Sequence, residues 1–162
     1  RILASPRGIG PVVSGKMLFL IAQGAAQAAV IFATAQIVYS VAVLDHLGLW
    51  LVTTLAATTA AGGIALGIVA LCRTREQAQM LSTFIILVLA AIGGSMVPRF
   101  LMPPWLQTVG WWTPHAWVIE AYQDLLWRDA GAGELYNAWI VLALIGAAGF
   151  AIAQVSARRI RT

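Results

Sequence analysis

The chain has 162 residues, of which 60% are hydrophobic and only 10% charged, with a formal net charge of +4. A soluble domain carries about 25% charged residues, so this chain cannot cover its surface with polar groups in water and reads as an integral membrane protein. A single cysteine, Cys72, excludes an internal disulfide and a multi-cysteine metal site. The basic excess follows membrane topology, as set out below, and nucleic acid is not an expected partner.

The chain opens with "RILASPRGIGPVVSGKM". It begins at Arg1 without an initiator Met, and the expectation is a chain whose first part is missing. No basic n-region with a cleavage site precedes the first apolar run, so no secretory signal is expected. Gly10-Pro-Val-Val-Ser-Gly15-Lys16 fits the first seven positions of the phosphate-loop pattern G-x-x-x-x-G-K-[ST]. The eighth position must bring a hydroxyl to Mg²⁺, and Met17 cannot. No apolar strand precedes the motif, and a long apolar helix follows it. The segment is therefore expected to be a polar cytoplasmic turn with Lys16 at the mouth of a membrane helix, and no nucleotide site is expected.

About 20 apolar residues cross the ~30 Å hydrocarbon core as a helix. Four segments qualify: Met17–Leu44, Leu49–Cys72, Met80–Val97 and Tyr136–Ala157. Residues 1–16 precede them as a cytoplasmic segment, and residues 17–162 form the transmembrane domain. With four crossings both ends lie on one side. That side holds Arg1, Arg7, Lys16, Arg73, Arg75, Arg158, Arg159 and Arg161, eight of the ten basic residues. Opposite lie Arg99 and Arg128 with Asp45, Glu120, Asp124, Asp129 and Glu134. The positive-inside rule makes the first side cytoplasmic. All seven tryptophans fall toward the other face, where an aromatic belt sits among headgroups.

Pro98–Leu135 is too apolar for a free loop. Its "PRFLMPPWLQTVGWW" carries three prolines, which break any continuous helix. In "TPHAWVIEAYQDLLWRD" Thr113 reads as an N-cap and Pro114 as the first-turn residue of a helix. Val118, Ala121, Tyr122 and Leu125 make its apolar face, while Glu120, Asp124 and Arg128 follow at steps of four on the other, a spacing that allows an Asp124–Arg128 pair. About 14 residues are too few to span, so the expectation is a short amphipathic or re-entrant outer helix. The fold class is all-α: a polytopic bundle of four spanning helices plus this outer helix.

Polar groups within the spans are few. Gln23, Gln27 and Thr34 share one face of the first span, either as a wall of a substrate path or as interhelical hydrogen-bonding glue, the commoner use. Gly63 and Gly67 form a G-x-x-x-G that Thr54, Thr58 and Gly62 extend, a pattern suited to close helix packing within the chain or across a dimer. His46 and His115 have no partners that would make a metal site. His115 with Ser95 of "GGSM" would be the only nucleophile–base pairing at hand for an intramembrane hydrolase, and the chain lacks a G-x-S-G.

Taken in order, these pieces resemble the permease of ABC-2 type exporters, over the latter two-thirds of such a permease. "RILASPRGIGPVVSGKML" resembles the cytoplasmic coupling segment before the third span, "LCRTREQAQMLSTF" the link before the fifth, and "GGSMVPRFLMPPWLQTVGWWTPHAWVIEAYQDLL" the broken outer end of the fifth span with its partly embedded helix. The family's elbow helix and first two spans have no counterpart in the sequence. The resemblance implies a transport subunit without catalytic residues. It implies ATP and Mg²⁺ in a partner ABC ATPase that docks on Arg1, Ile2, Leu3, Ala4, Ser5, Pro6 and Arg7. It implies a second permease copy, identical or not, lipid contacts, and a multi-pass place in a bacterial plasma or inner membrane with both ends cytoplasmic. The expected cargo is lipophilic or amphipathic. The alternative is a membrane scaffold or assembly subunit that uses the G-x-x-x-G face.

Overall fold

The computed structural model describes residues 10–159. Those residues form six α-helices and no strand: α1 (Gly10–Tyr39), α2 (Leu47–Leu71), α3 (Arg75–Gly93), α4 (Pro104–Gly110), α5 (Pro114–Trp127) and α6 (Ala132–Arg159). Helices α1, α2, α3 and α6 are long and apolar enough to cross a membrane. The protein is an all-α polytopic bundle of four such helices with two short helices between the third and fourth. The expected coupling segment Arg1–Arg7 and the basic tail residue Arg161 lie outside the described residues.

The helices begin earlier than hydropathy alone suggests. The polar turn expected over Gly10–Lys16 is instead the first two turns of α1. Nothing in these residues breaks a helix there: Pro11 falls in the first turn, where its missing N–H has no intrahelical partner to lose. Ser14 Oγ donates back to Gly10 O at 3.3 Å. Helix α3 starts at Arg75, five residues before the apolar run, because Thr74 caps it. Gln77 N donates to Thr74 Oγ1 at 3.1 Å, and Gln77 Oε1 in turn accepts Arg73 N at 3.0 Å. This is a variant of the capping box, in which the N3 side chain reaches past the N-cap to the amide of the residue before it.

The α1–α2 connection is tied by one side chain. Gln36 Oε1 accepts the backbone N–H of Val43 at 2.9 Å and of Leu44 at 3.2 Å. Val43 N also donates to Val41 O at 2.7 Å, so Gln36 is a second acceptor for that donor and the side-chain acceptor for Leu44 N where the chain reverses. At the other end of α3, Gly94 takes φ +99°, a left-handed cap that a side chain would strain.

Helices α2 and α6 form the backbone of the bundle, with α1, α5 and α3 laid around α2. The α2–α6 crossing is close because glycine meets glycine. A Cβ on Gly63 would run into the backbone of Gly146, one on Gly149 into the backbone of Gly63, and one on Gly67 would lie 3.3 Å from Gly149 Cα. Small residues allow such an approach, and close van der Waals packing is what holds helices together where lipid is as apolar as leucine. Trp139 Nε1 donates to the fully buried Thr53 Oγ1 at 2.9 Å and pins the same pair of helices nearer their other ends.

At the end of the bundle where α2 begins, Val43, Trp50, Ala121, Leu125, Leu135 and Ala138 make one buried cluster. Phe32 packs against Trp50 with ring centres 5.6 Å apart and against Tyr122 at 4.7 Å. At the opposite end Gln154 of α6 holds the start of α1, donating to Gly10 O at 3.3 Å and Ser14 Oγ at 3.1 Å. Most of α1 and α3 is exposed, and their bare side chains are mainly large apolar ones, such as Leu18, Phe19, Ile37, Met80 and Phe84. Such surfaces are tolerable in lipid and not in water.

Candidate functional site

Two features stand out: an apolar cavity inside the bundle, and a charged cap over it. The cavity measures about 390 Å³ and lies between α1, α2, α3 and α5. That is the size of a small-molecule pocket. Helix α1 contributes Ala28 and Phe32, α2 Ala61 and Ile64, and α3 Ile86 and Leu89. Polar groups enter its wall from Thr54, Thr58, Ser95, His115 and Tyr122.

Three of these five are satisfied. Thr54 Oγ1 and Tyr122 OH share a hydrogen bond of 2.8 Å, and Thr58 Oγ1 donates to Thr54 O at 2.9 Å. Burial pushes the Tyr122 hydroxyl above the ordinary tyrosine value, against the smaller opposing effect of Thr54. The other two bond to no described residue through their side chains: Ser95 is an exposed residue of the lining, and His115 Nδ1 is buried without a partner. Burial also lowers the His115 pKa, so the ring stays neutral at neutral pH.

Ser95 and His115 reach one cavity because α3 stops short. Gly93 ends α3, and a Cβ there would sit 2.5 Å from both His115 Cβ and Thr113 Oγ1. The start of α5 is therefore seated against the end of α3. Thr113 accepts Ala116 N at 3.4 Å as the N-cap, and its own hydroxyl donates to Gly110 O at 2.8 Å. A hydrolase would need Ser95 bonded to His115 and a carboxylate on the ring's far nitrogen. Neither is present among the described residues, which also hold no cluster of metal ligands.

The charged cap centres on Arg99. Its Nε donates to Glu120 Oε1 at 3.0 Å, its Nη2 to Gln107 O at 3.2 Å, and its guanidinium lies 4.4 Å from the Trp111 ring centre. Glu120 also meets Arg128 Nη1 at 3.4 Å, and Arg128 pairs with Asp124 one turn along α5. So Glu120, Asp124 and Arg128 do share a face of the outer helix, but Glu120 turns inward to Arg99 rather than into solvent. Proximity in sequence gave no sign of Arg99, which is 21 residues away. At the same end His46 Nε2 meets Asp129 Oδ1 at 3.1 Å and links the start of α2 to the residues before α6.

Gln23, Gln27 and Thr34 do not reach the cavity. All three are exposed on α1, on average about 140° around the helix axis from the Ala28 and Phe32 that line it. Thr34 Oγ1 turns back on its own helix, donating to Val30 O at 2.8 Å. Gly63 and Gly67 face α6 of the same chain.

Four apolar crossing helices, a broken and capped return between the third and fourth, and a basic segment ahead of α1 accord with one further finding. The family described as ABC-2 type transporter matches residues 1–127. The chain belongs to that family. It is thus a membrane-embedded component of an ABC-type transporter, and membership implies an ABC ATPase as partner. The match takes in α1 to α5, and so every cavity residue named above and the cap residues Arg99, Gln107, Trp111, Glu120 and Asp124. No curated protein and no solved structure matches the chain.

Proposed function

We propose that this ABC-2 permease is the membrane subunit of an exporter that moves a lipophilic or amphipathic compound outward. A separate ABC ATPase binds and hydrolyses ATP with Mg²⁺, and this chain binds neither. The observation that carries the reading is the family match over residues 1–127, which includes the basic segment ahead of α1. By sequence, eight of ten basic residues flank the spans on the side where the chain starts and finishes, which supports a cytoplasmic face there, with Pro98–Leu135 outside, in a bacterial cell membrane.

The mechanism follows from how α1 is held. An ATPase docked on Arg1–Arg7 would push on the residues that lead into Gly10. Gln154 joins that end of α1 to α6, and α6 is locked to α2 through glycine contacts. Force applied there moves the three helices together instead of bending one. The ATPase does work only if it binds two arrangements of this bundle with different affinity. The exposed Gln23, Gln27 and Thr34 favour a second permease copy against that face of α1, since polar side chains in a span face protein or a water-filled path rather than lipid.

The scaffold alternative relied on the G-x-x-x-G face being free for a partner. Gly63 and Gly67 are occupied by α6, which leaves that reading without its surface.

The test pairs co-purification of the neighbouring ATPase with transport into vesicles. Leu3→Asp is expected to lower ATPase recovery or coupled turnover about tenfold or more, by loss of an apolar anchor worth about 1.5–3 kcal/mol. Arg7→Ala is expected to do less, with an effect that shrinks in high salt. Full recovery and full coupled turnover in Leu3→Asp would remove the docking segment from the account.

A further inference from the structure

The polar groups of the cavity wall divide unevenly. Thr54, Thr58 and Tyr122 are bonded within the protein, whereas His115 and Ser95 are not. The two free groups sit together, at the junction of α3 and α5 beside Gly93. On the α2 side the lining runs from Thr54 to Ile64, about 15 Å at 1.5 Å per residue. Away from the two free groups the cavity wall is Ile64 and the partly exposed Ile86, with no polar side chain beside them. The space is thus polar at one end and a hydrocarbon slot beyond, about half the depth of a bilayer core.

The slot also has a side opening. Helices α1 and α3 both pack on α2 and hardly touch each other. Their remaining faces are exposed and apolar, so the gap between them gives onto lipid, not onto water. A molecule that lives in the bilayer can reach the cavity directly.

The free groups define the head of that molecule. Nδ1 of His115 is buried with no partner. An orphaned N–H in an apolar site is rarer and costlier than an unfilled acceptor lone pair. The single ring proton therefore belongs on Nε2, the nitrogen not walled in. Ser95, an exposed residue of the lining, adds a rotatable hydroxyl. Both can donate, and neither position offers a formal charge, so the partner is a neutral acceptor oxygen rather than a phosphate.

We propose that this cavity holds one acyl chain of a membrane lipid, with the His115 N–H and the Ser95 hydroxyl donating to its ester carbonyl and the hydrocarbon lying between Ile64 and Ile86. The site is separate from the Gln23, Gln27 and Thr34 face and does not depend on what the transporter carries.

The experiment uses the full chain in vesicles of ether-linked phosphatidylcholine, so that the matrix offers no ester carbonyl. Two probes are compared at equal mole fraction: a monoacylglycerol with a tail diazirine, and its alkyl-ether analogue. The attached residues are read by mass spectrometry after illumination. Labelling is expected on α2 and α3 near Ile64 and Ile86, with the ester probe favoured about fivefold, the value of one hydrogen bond. His115→Phe keeps the ring volume and removes the donor, and Ser95→Ala removes the second. The preference is expected to fall toward one in His115→Phe and in the double variant. Because the readout is a ratio within each sample, loss of folded protein does not imitate the result. Equal labelling by the two probes in the unaltered chain, labelling only on the outward faces of α1 and α3, or an undiminished preference in the double variant would each overturn the proposal.

Discussion

Replacing Arg99 with Met keeps much of the side chain's length and removes every polar contact it makes. The side chain is only 9% exposed. The loss includes a charge-assisted bond to Glu120, a bond to Gln107 O and the stacking on Trp111. Breaking one partner of a buried pair destabilises by about 3–5 kcal/mol. Glu120 is 21% exposed and keeps Arg128 at 3.4 Å, so the lower end applies. An expected loss of about 3 kcal/mol corresponds to a fall in melting temperature of roughly 6–12 °C for a chain of this size. Thermal unfolding in detergent measures it, and a cycle with Glu120→Gln isolates the pair. The coupling is expected to exceed about 1 kcal/mol, in the range of hydrogen bonds to charged groups. Arg99→Lys restores a charge without the fork and is expected to recover only part of the loss. A drop below about 1 kcal/mol for Arg99→Met, or a coupling near zero, would show that the cap is not held through this guanidinium.

Gly63→Ala is expected to destabilise by about 1–3 kcal/mol because its Cβ meets the Gly146 backbone. Gly15→Ala, where nothing lies within 4 Å, is expected to stabilise by up to about 1 kcal/mol, and the same melts that record opposite signs test the α2–α6 crossing. For topology, single cysteines at Arg75 and Asp129 in a Cys72→Ser chain are exposed to an impermeant thiol reagent, and only Asp129→Cys is expected to label from outside; the reverse pattern would invert the protein. The lowered His115 pKa gives a pH dependence of fixed sign. Above the unfolded value near 6.5 it contributes nothing; as pH falls below that value the unfolded chain takes up the proton first, so stability drops until the folded pKa is passed. The melting temperature of His115→Phe is therefore expected to fall less than that of the unaltered chain between pH 7.5 and 5.5.

The spans were legible because hydrocarbon thickness dictates length, and the amphipathic α5 because Thr113-Pro114 fixes its start and one stripe of residues its face. The helix starts were not legible from hydropathy, since polar residues form helix as readily as apolar ones when a cap is present. Thr74-Arg75-Glu76-Gln77 carries the capping-box spacing that would have placed the start of α3. The first turns of α1 had no such mark. There a resemblance to a phosphate loop drew attention to Gly10–Lys16 as a turn, although no residue of the stretch forbids helix beyond its first turn.

The cavity was hidden for a different reason. In water a helix shows its buried face by polarity, because one side must be apolar and the other must not. In a membrane both the packed side and the lipid side are apolar, and the stripe that marks the interior disappears. Gln23, Gln27 and Thr34 announce a face of α1, but the face that closes the cavity is Ala28 and Phe32, indistinguishable in kind from the lipid-facing Val30 and Ile37. His115 and Ser95 lie 20 residues apart, one in α5 and one in the bend after α3, and only the close fit of Gly93 against the start of α5 brings them to one wall. The two were weighed in sequence as a base and a nucleophile. In space they line one cavity without bonding each other, Ser95 exposed and His115 half-buried, and two donors free on one wall are better arranged to hold an acceptor than to attack one.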